Sequence, residues 1–133
     1  MLDIENDVYS ELYEYLTEEF PNLTVYDETI LSPEELPCVC VEEIGNSVNQ
    51  TTIDSSSNEN HAIIDYEARV FGNKATGKKA EVRTIFSYMD RWFLNHGFLR
   101  ISLQPITFDD ATKYQLIGRY TAVVDENKTI YRR

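Results

Sequence analysis

The fold is decided by residues 63–93, which read IIDYEARVF (63–71), GNKATGKK (72–79) and AEVRTIFSYMDRWF (80–93). Apolar and polar side chains alternate along 63–71, which predicts a strand with one buried face. Apolar side chains recur at helical spacing along 80–93, which predicts a helix whose apolar stripe faces the core. The predicted buried positions are Ile64, Tyr66, Ala68 and Val70 on the strand, and Val82, Ile85, Phe86, Met89 and Phe93 on the helix.

The flanking sequence predicts one more helix and several strands. Apolar residues at helical spacing from Ile4 to Phe20 predict a first helix, capped by Asp3 or Asn6 and ended by Pro21. A second helix end is expected at Gly97. Strands are predicted over 23–26, 38–44, 98–103 and 113–124, with loops over 27–36 and 105–112, a turn at 125–128 and a short final strand at 129–131. Within 98–103, we expect Leu99, Ile101 and Leu103 to lie on one side.

The order helix, strand, strand, strand, helix, strand, strand indicates the fold class. It predicts one α+β domain over residues 1–133, in which both helices pack on one face of a mainly antiparallel sheet. Residues 45–60 (GNSVNQTTIDSSSNEN) are the compositional exception. They are either a long flexible loop or a hairpin arm that becomes ordered against a partner. In the second case, the expected contact residues are Val48, Thr51, Thr52, Ile53 and Asp54.

Charge and cysteine content exclude several classes of protein. The formal net charge is -11, which argues against a sequence-independent nucleic-acid binder and against a membrane-surface protein. We expect no signal peptide and no membrane span. The only cysteines, Cys38 and Cys40, share one face of a predicted strand, and we predict that both are reduced core residues of a cytoplasmic protein. A metal site needs further ligands, and His61 and His96 are expected at the surface or at loop ends.

Residues 72–79 nearly match a phosphate-binding loop. Gly72, Gly77 and Lys78 occupy the required positions, but residue 79 is Lys where a Ser or Thr hydroxyl would ligate Mg²⁺. Nucleotide-binding domains with this loop are parallel α/β sheets, whereas this chain contains a single strand–helix–strand passage. We therefore predict no enzymatic activity, no cofactor and no metal. A nucleotide-binding enzyme remains the alternative, and nucleotide-dependent protection of the fold would reveal it.

The same loop supplies a basic spot on an acidic protein. Lys74, Lys78, Lys79 and Arg83 lie within ten residues of sequence. The first helix carries an acidic face, which is either simply a solvated surface or a docking surface. In the second case, our hypothesis is that the basic spot contacts the acidic helix of a neighbouring subunit. Charge reversal of Lys78 and Lys79 is then expected to weaken self-association at low salt.

The chain resembles the tail terminator, or tail completion, proteins of long-tailed bacteriophages and prophages, which are also described as minor capsid or head-tail joining proteins. The resemblance covers the whole chain by pattern and involves no catalytic signature. The segments that carry it are VYSELYEYL (8–16), LPCVCVEE (36–43), DSSSNENHA (54–62), NKATGKKAE (73–81), LQPI (103–106), DATKYQLIGRYTAVV (110–124) and TIYRR (129–133).

The resemblance implies a structural virion protein at the neck or tail end, assembled in the host cytoplasm. Such proteins form a ring, usually a hexamer, that caps the tail tube, ends its polymerisation and meets a head-side connector or stopper protein. DNA passes through the lumen without specific binding, as the acidic composition would permit. The alternative within this class is another head-tail connector, a head-completion protein or a tail-tube component of related fold.

Overall fold

The computed structural model describes residues 4–28, 37–48, 61–72, 78–106, 114–125 and 130–131. It confirms the predicted α+β fold: two helices cover one face of a six-stranded, mainly antiparallel sheet. The elements in chain order are α1 (Glu5–Glu19), β1 (Thr24–Tyr26), β2 (Cys38–Val48), β3 (His61–Gly72), α2 (Lys78–Asn95), β4 (Leu99–Ile106), β5 (Tyr114–Asp125) and β6 (Ile130–Tyr131).

The strands lie in the order β1-β2-β3-β5-β4. Of the described pairings, only β1 with β2 is parallel. β3 and β4 are both antiparallel to β5, so they run parallel to each other on its two sides, and α2 connects them as a split β-α-β unit. β6 pairs with Val123 and Val124 and continues the β4 side of β5.

The main core lies between the sheet and the helices. The inward side chains of β3 are the predicted ones, and the predicted α2 stripe is also buried. Trp92 adds a buried ring that the helical pattern had not singled out. The largest fully buried side chains here are Tyr66, Tyr120, Phe93, Leu12, Leu16 and Ile64.

One glycine of β5 is required by close packing. Gly118 faces α2 from the middle of β5, and the ring of Phe86 lies directly over it. A Cβ at this position would be 2.4 Å from Phe86 Cζ, a distance that side chains do not tolerate. The helix therefore approaches the sheet more closely here than any other residue would allow.

The two helices begin and end by different means. α1 starts at Glu5 with Ile4 at the N-cap and no side-chain capping bond, so the prediction of Asn6 as the cap is wrong, and Asp3 lies outside the described residues. Ile4 is buried in the core, and this packing, rather than a capping hydrogen bond, accompanies the helix start. The Phe20 N–H closes the helix on Leu16 O (2.8 Å), as expected before a proline.

The end of α2 follows the prediction. Gly97 has a φ of 90°, in the left-handed region that glycine adopts most readily. The Gly97 N–H donates to Leu94 O (3.3 Å) and the Phe98 N–H donates to Phe93 O (3.0 Å). These two bonds form a Schellman motif, which turns the chain back towards the sheet.

Two strands are longer than predicted. β2 continues to Val48 and pairs with β3 up to Ala62, so residues 45–48 belong to a hairpin and not to a loop. Residues 49–60, which connect its strands, lie outside the described residues. β4 includes Pro105 and Ile106, which we had placed in a loop. Proline is tolerated there because β4 has no described neighbour on its other side, and prolines within sheets are confined to edge strands, first residues and bulges.

Candidate assembly surface

The edge strand β4 exposes apolar side chains to solvent. It pairs with β5 on one side and with no described strand on the other. Its exposed apolar side chains are Leu99 (45%), Ile101 (56%) and Leu103 (38%), and Leu94 at the end of α2 is also exposed (43%). These four include most of the large apolar side chains that the described residues expose. Because exposed apolar side chains can mark an interaction site, β4 and the end of α2 form the candidate assembly surface.

The apolar side chains of β4 lie on both faces of the sheet. Leu99 is opposite Thr121 of β5, whereas Leu103 is opposite Gly118, three residues earlier. Our prediction that Leu99, Ile101 and Leu103 share one side is therefore wrong. The register shifts between Arg100 and Ser102, because Ile101 is an extra residue at a β-bulge and has no partner on β5.

The same edge carries features that discourage strand addition. A bulge and the proline Pro105 disturb the row of backbone groups that another strand would need, and the exposed Arg100 adds a charge at the edge. Contacts made by β4 are therefore expected to use side chains rather than a continued sheet.

A polar network fixes β4 to the helical layer. Tyr120 Oη donates to Asp90 Oδ1 (2.6 Å), and Arg100 Nη1 donates to Asp90 Oδ2 (2.8 Å). Burial, followed by the hydrogen bond to Asp90, raises the pKa of Tyr120 well above its usual range. Three elements (β5, α2 and β4) thus meet at one carboxylate, which holds the exposed edge in a defined position.

The sheet face opposite the helices contains a second, smaller cluster. Cys38, Cys40 and Phe71 are buried there beside Tyr26, and both cysteines are free thiols, as predicted. The hydrogen bond with Cys40, and then burial, raise the pKa of the Cys38 thiol, so this group stays protonated. A raised pKa disfavours the thiolate, which is the reactive form of a cysteine.

A charge network lies on this same face, beside the cysteines. Glu67 is buried, and its two carboxylate oxygens accept bonds from Arg69 Nε (2.8 Å) and Arg119 Nε (3.2 Å). Glu67 and Arg119 are directly opposite in the β3–β5 register. This pairing explains a buried carboxylate without any catalytic role.

The predicted contact residues are divided between the two ends of the sheet. Val48 ends β2, and Lys78 begins α2 beside the other end of β3; the side chains of both lie outside the described part. The length of β3 separates these ends by about 36 Å. Thr51, Thr52, Ile53, Asp54 and Lys74 lie outside the described residues. Of these predicted contact residues, the backbone positions of Val48 and Lys78 therefore lie far apart.

On α2, the basic residues of the predicted spot are part of a longer basic stripe along the helix. Lys79 and Arg83 are exposed and share one helix face, as their spacing of four requires. Arg91, two further steps of four along the chain, is exposed on the same face, and we had not included it. The signal was present in the sequence, but it lay outside the loop on which the prediction was centred.

No grouping of described residues resembles a catalytic or metal centre. The described chain contains no group of three or more potential metal ligands. His96 is exposed after α2, where its ring stacks on Trp92 (4.1 Å) and Nδ1 lies 2.7 Å from Trp92 O, which confirms its predicted loop-end position. The side chain of His61 is not among those described.

An open groove of about 620 Å³ runs between the end of α1 and the start of α2. Its described walls include Phe20, Leu23 and Ile85, with carboxylates from Glu19 and Glu81. These residues supply no nucleophile paired with a base. The fold argument against a phosphate-binding loop is confirmed by the antiparallel sheet, while the absence of enzymatic activity stays a prediction.

Neither a protein-family model nor a curated protein sequence matches this chain. Among the described helices, none has the length and apolar character needed to cross a bilayer.

Proposed function

We propose that this chain is a tail terminator of a long-tailed bacteriophage or prophage. In this role it forms a ring, hexameric in the family it resembles, that binds the end of the tail tube and stops its growth. The other side of the ring meets the head-side connector or stopper protein, so the protein resides at the neck of the virion. Support comes from the sequence resemblance and from the surface described above.

The observation that carries the proposal is the apolar edge formed by Leu94, Leu99, Ile101 and Leu103, which we call the β4 edge. These side chains are exposed on a chain with a formal net charge of -11. An acidic surface keeps a protein soluble, whereas an apolar cluster on that surface favours association with a partner. The Tyr120–Asp90–Arg100 network holds the cluster in place, as a preformed interface requires.

The charge of the chain suits a passage for DNA. A ring built from acidic subunits repels the phosphate backbone and so does not retain it. The exposed acidic residues of α1, among them Glu14 and Glu18, contribute to this charge. DNA is therefore expected to pass through the ring without specific contacts.

The experiment is native mass spectrometry of the purified protein, alone and with the tail-tube subunit of the same phage. A discrete closed ring, either free or formed only on the tube, is the result expected for a terminator. Open-ended polymers of this chain alone would instead indicate a tube subunit. A monomer that ignores the tube would contradict the proposal and return attention to other connector proteins.

A further inference from the structure

An acidic stripe runs along the exposed surface of α1. Asp7, Glu11, Glu14 and Glu18 follow one another at intervals of three and four residues, so they form one stripe, and all four are exposed. Glu11 Oε2 lies 3.8 Å from His96 Nε2. Glu14 and Glu18 form no ion pair with any described residue. Glu14 and Glu18 are thus the carboxylates of the stripe that are open to a partner.

The solvent side of α2 carries the opposite charge. Lys79, Arg83 and Arg91 are exposed at multiples of four residues and make no ion pair within the described chain. Asp90, an acidic residue of α2, instead binds Arg100 and Tyr120 beside β4. Two stripes of opposite charge therefore lie on one layer of the molecule.

The packing of the helices sets the register of the stripes. Tyr15 stacks on Tyr88 with ring centroids 4.2 Å apart, and Glu11 lies beside His96, so the helices are antiparallel neighbours. Arg91 is then level with Glu14 along the helix axes. Arg83 is level with the end of α1, where Glu19 and Arg83 border the same shallow groove.

We propose that this helical face binds a second copy of the chain, about a two-fold axis parallel to the helices. Rotation by 180° about that axis leaves the position of each residue along the axis unchanged. It places α1 of one copy opposite α2 of the other. Glu14 then faces Arg91 of the second copy, and Glu18 approaches Arg83 of the second copy. Because the contact is two-fold, each pair forms twice.

Charge complementarity identifies the second copy as the partner. A polyanion would be repelled by the acidic stripe, and a polycation would be repelled by Arg83 and Arg91. The partner must present both signs side by side in the reverse order, and a rotated copy of the same face does so.

This contact goes beyond the proposed function, because a two-fold interface does not by itself close a ring of more than two subunits. It lies on the outer side of the helices rather than on the β4 edge. Exposed ion pairs are individually weak and screened by salt, so the dimer is expected at low ionic strength and not at high ionic strength.

The test uses two reversed variants, E14K/E18K and R83E/R91E, studied by sedimentation velocity in about 20 mM and about 500 mM salt. The wild-type chain is expected to dimerise in low salt, and each variant alone is expected to bind itself at least about tenfold more weakly. Mixing the two variants restores opposite charges at both contacts, so a heterodimer forms. A chain with all four changes is expected to dimerise again.

The control variant is D27K/E28K, which changes the net charge by the same amount as E14K/E18K at exposed positions outside the helices. It is expected to dimerise at least as well as the wild type. A wild-type chain that stays monomeric in low salt, or reversed variants that fail to associate when mixed, would overturn the inference. Circular dichroism confirms that each variant is folded. A negative result in this test would not contradict the proposed tube capping, because the capping experiment does not depend on the helical face.

Discussion

β3 and β4 pair with the same strand, β5, on its two sides, yet their environments are opposite. β3 is paired along both edges and buries Ile64, Tyr66, Ala68 and Val70 under the helices. β4 is paired along one edge and exposes almost every side chain. The two strands run in the same direction and are joined by one helix, so position in the sheet, rather than local pairing, separates their roles.

Under the proposed function, this difference gives β3 a role in the fold and β4 a role in intermolecular contacts. Side chains of β3 are fixed by packing against α2, so a substitution on β3 disturbs packing throughout the core. Side chains of β4 contribute little to that packing, so their apolar character is not explained by stability. We infer that β4 keeps its apolar residues for association, and the predictions below test the two strands against each other.

The largest effect is expected at the centre of β3. Tyr66 is buried and contacts Phe93 and Phe98, with ring centroids 6.1 Å and 5.6 Å away. Tyr66→Ala removes this ring and leaves a cavity, so the free energy of unfolding should fall by about 3 to 5 kcal/mol in urea titrations. Tyr66→Phe keeps the ring and serves as the control, with a much smaller loss. Equal losses in the two variants would contradict the packing role.

A somewhat smaller loss of unfolding free energy is expected at Gly118 of β5, the strand that lies between β3 and β4. Gly118→Ala places a methyl group 2.4 Å from Phe86 Cζ, which forces the ring or the helix to move. Overpacking of this kind should lower the free energy of unfolding by about 2 to 3 kcal/mol. Thermal denaturation measures it, and Phe86→Leu in the same chain should recover part of the loss. No recovery would show that the two groups do not collide.

The anchor of β4 gives the next prediction. Asp90→Ala leaves the buried Tyr120 hydroxyl without its acceptor and removes the partner of Arg100. The free energy of unfolding should fall by about 2 kcal/mol, since a hydrogen bond to a charged group is lost. In Asp90→Asn the amide oxygen still accepts from Tyr120, so the loss should be smaller. Hydrogen exchange of β4 amides should rise in Asp90→Ala, and unchanged exchange would argue against anchoring.

Alkaline pH should weaken the core through two groups. Tyr120 and Cys38 both have a pKa raised in the folded state, so the native protein retains protons that the unfolded chain releases. The contribution of these two groups to stability is therefore constant below their unfolded pKa values and falls as pH rises above about 8.5 for the thiol and about 10 for the phenol. Urea midpoints at rising pH measure this decline. Tyr120→Phe should reduce the decline of the urea midpoint above about pH 10. An unchanged decline in this variant would contradict the contribution assigned to Tyr120.

The sequence predicted the buried faces correctly where apolar side chains alternate along a strand or recur at helical spacing. The faces of β3, the α2 stripe and the Gly97 end followed from spacing alone, because burial on one side imposes a period. The bulge at Ile101 could not be foreseen, since an extra residue changes the register without changing the pattern. The prediction of Asn6 as the cap of α1 failed for a different reason: Ile4 occupies the N-cap position and is held by core packing, without a side-chain capping bond.

The candidate surface was less predictable than the fold. Sequence reasoning treated Leu99, Ile101 and Leu103 as one side of a strand, and only the sheet order shows that β4 is an edge. Edge position depends on pairings distant in sequence, here between β5 and both of its neighbours. The basic stripe was found in part, at Lys79 and Arg83, because it follows a local helical period.

The smallest effect on stability is expected on β4, where the effect on function should be largest. The variant L99S/I101S/L103S replaces side chains that are already exposed, so its free energy of unfolding should change by less than about 1 kcal/mol. Tyr13→Ser, at an exposed aromatic side chain of α1, is the matched control away from β4. A large loss of stability in the β4 variant would show that these residues serve the fold.

Electron microscopy of tail tubes tests the central claim most directly. Tube subunits of the same phage are polymerised with the wild-type chain, the β4 variant or Tyr13→Ser, and tube lengths are measured. We predict short, capped tubes with the wild type and with Tyr13→Ser, and long, uncapped tubes with L99S/I101S/L103S. Tubes that grow to the same length with and without the wild-type chain would contradict the proposal that this protein ends tube assembly.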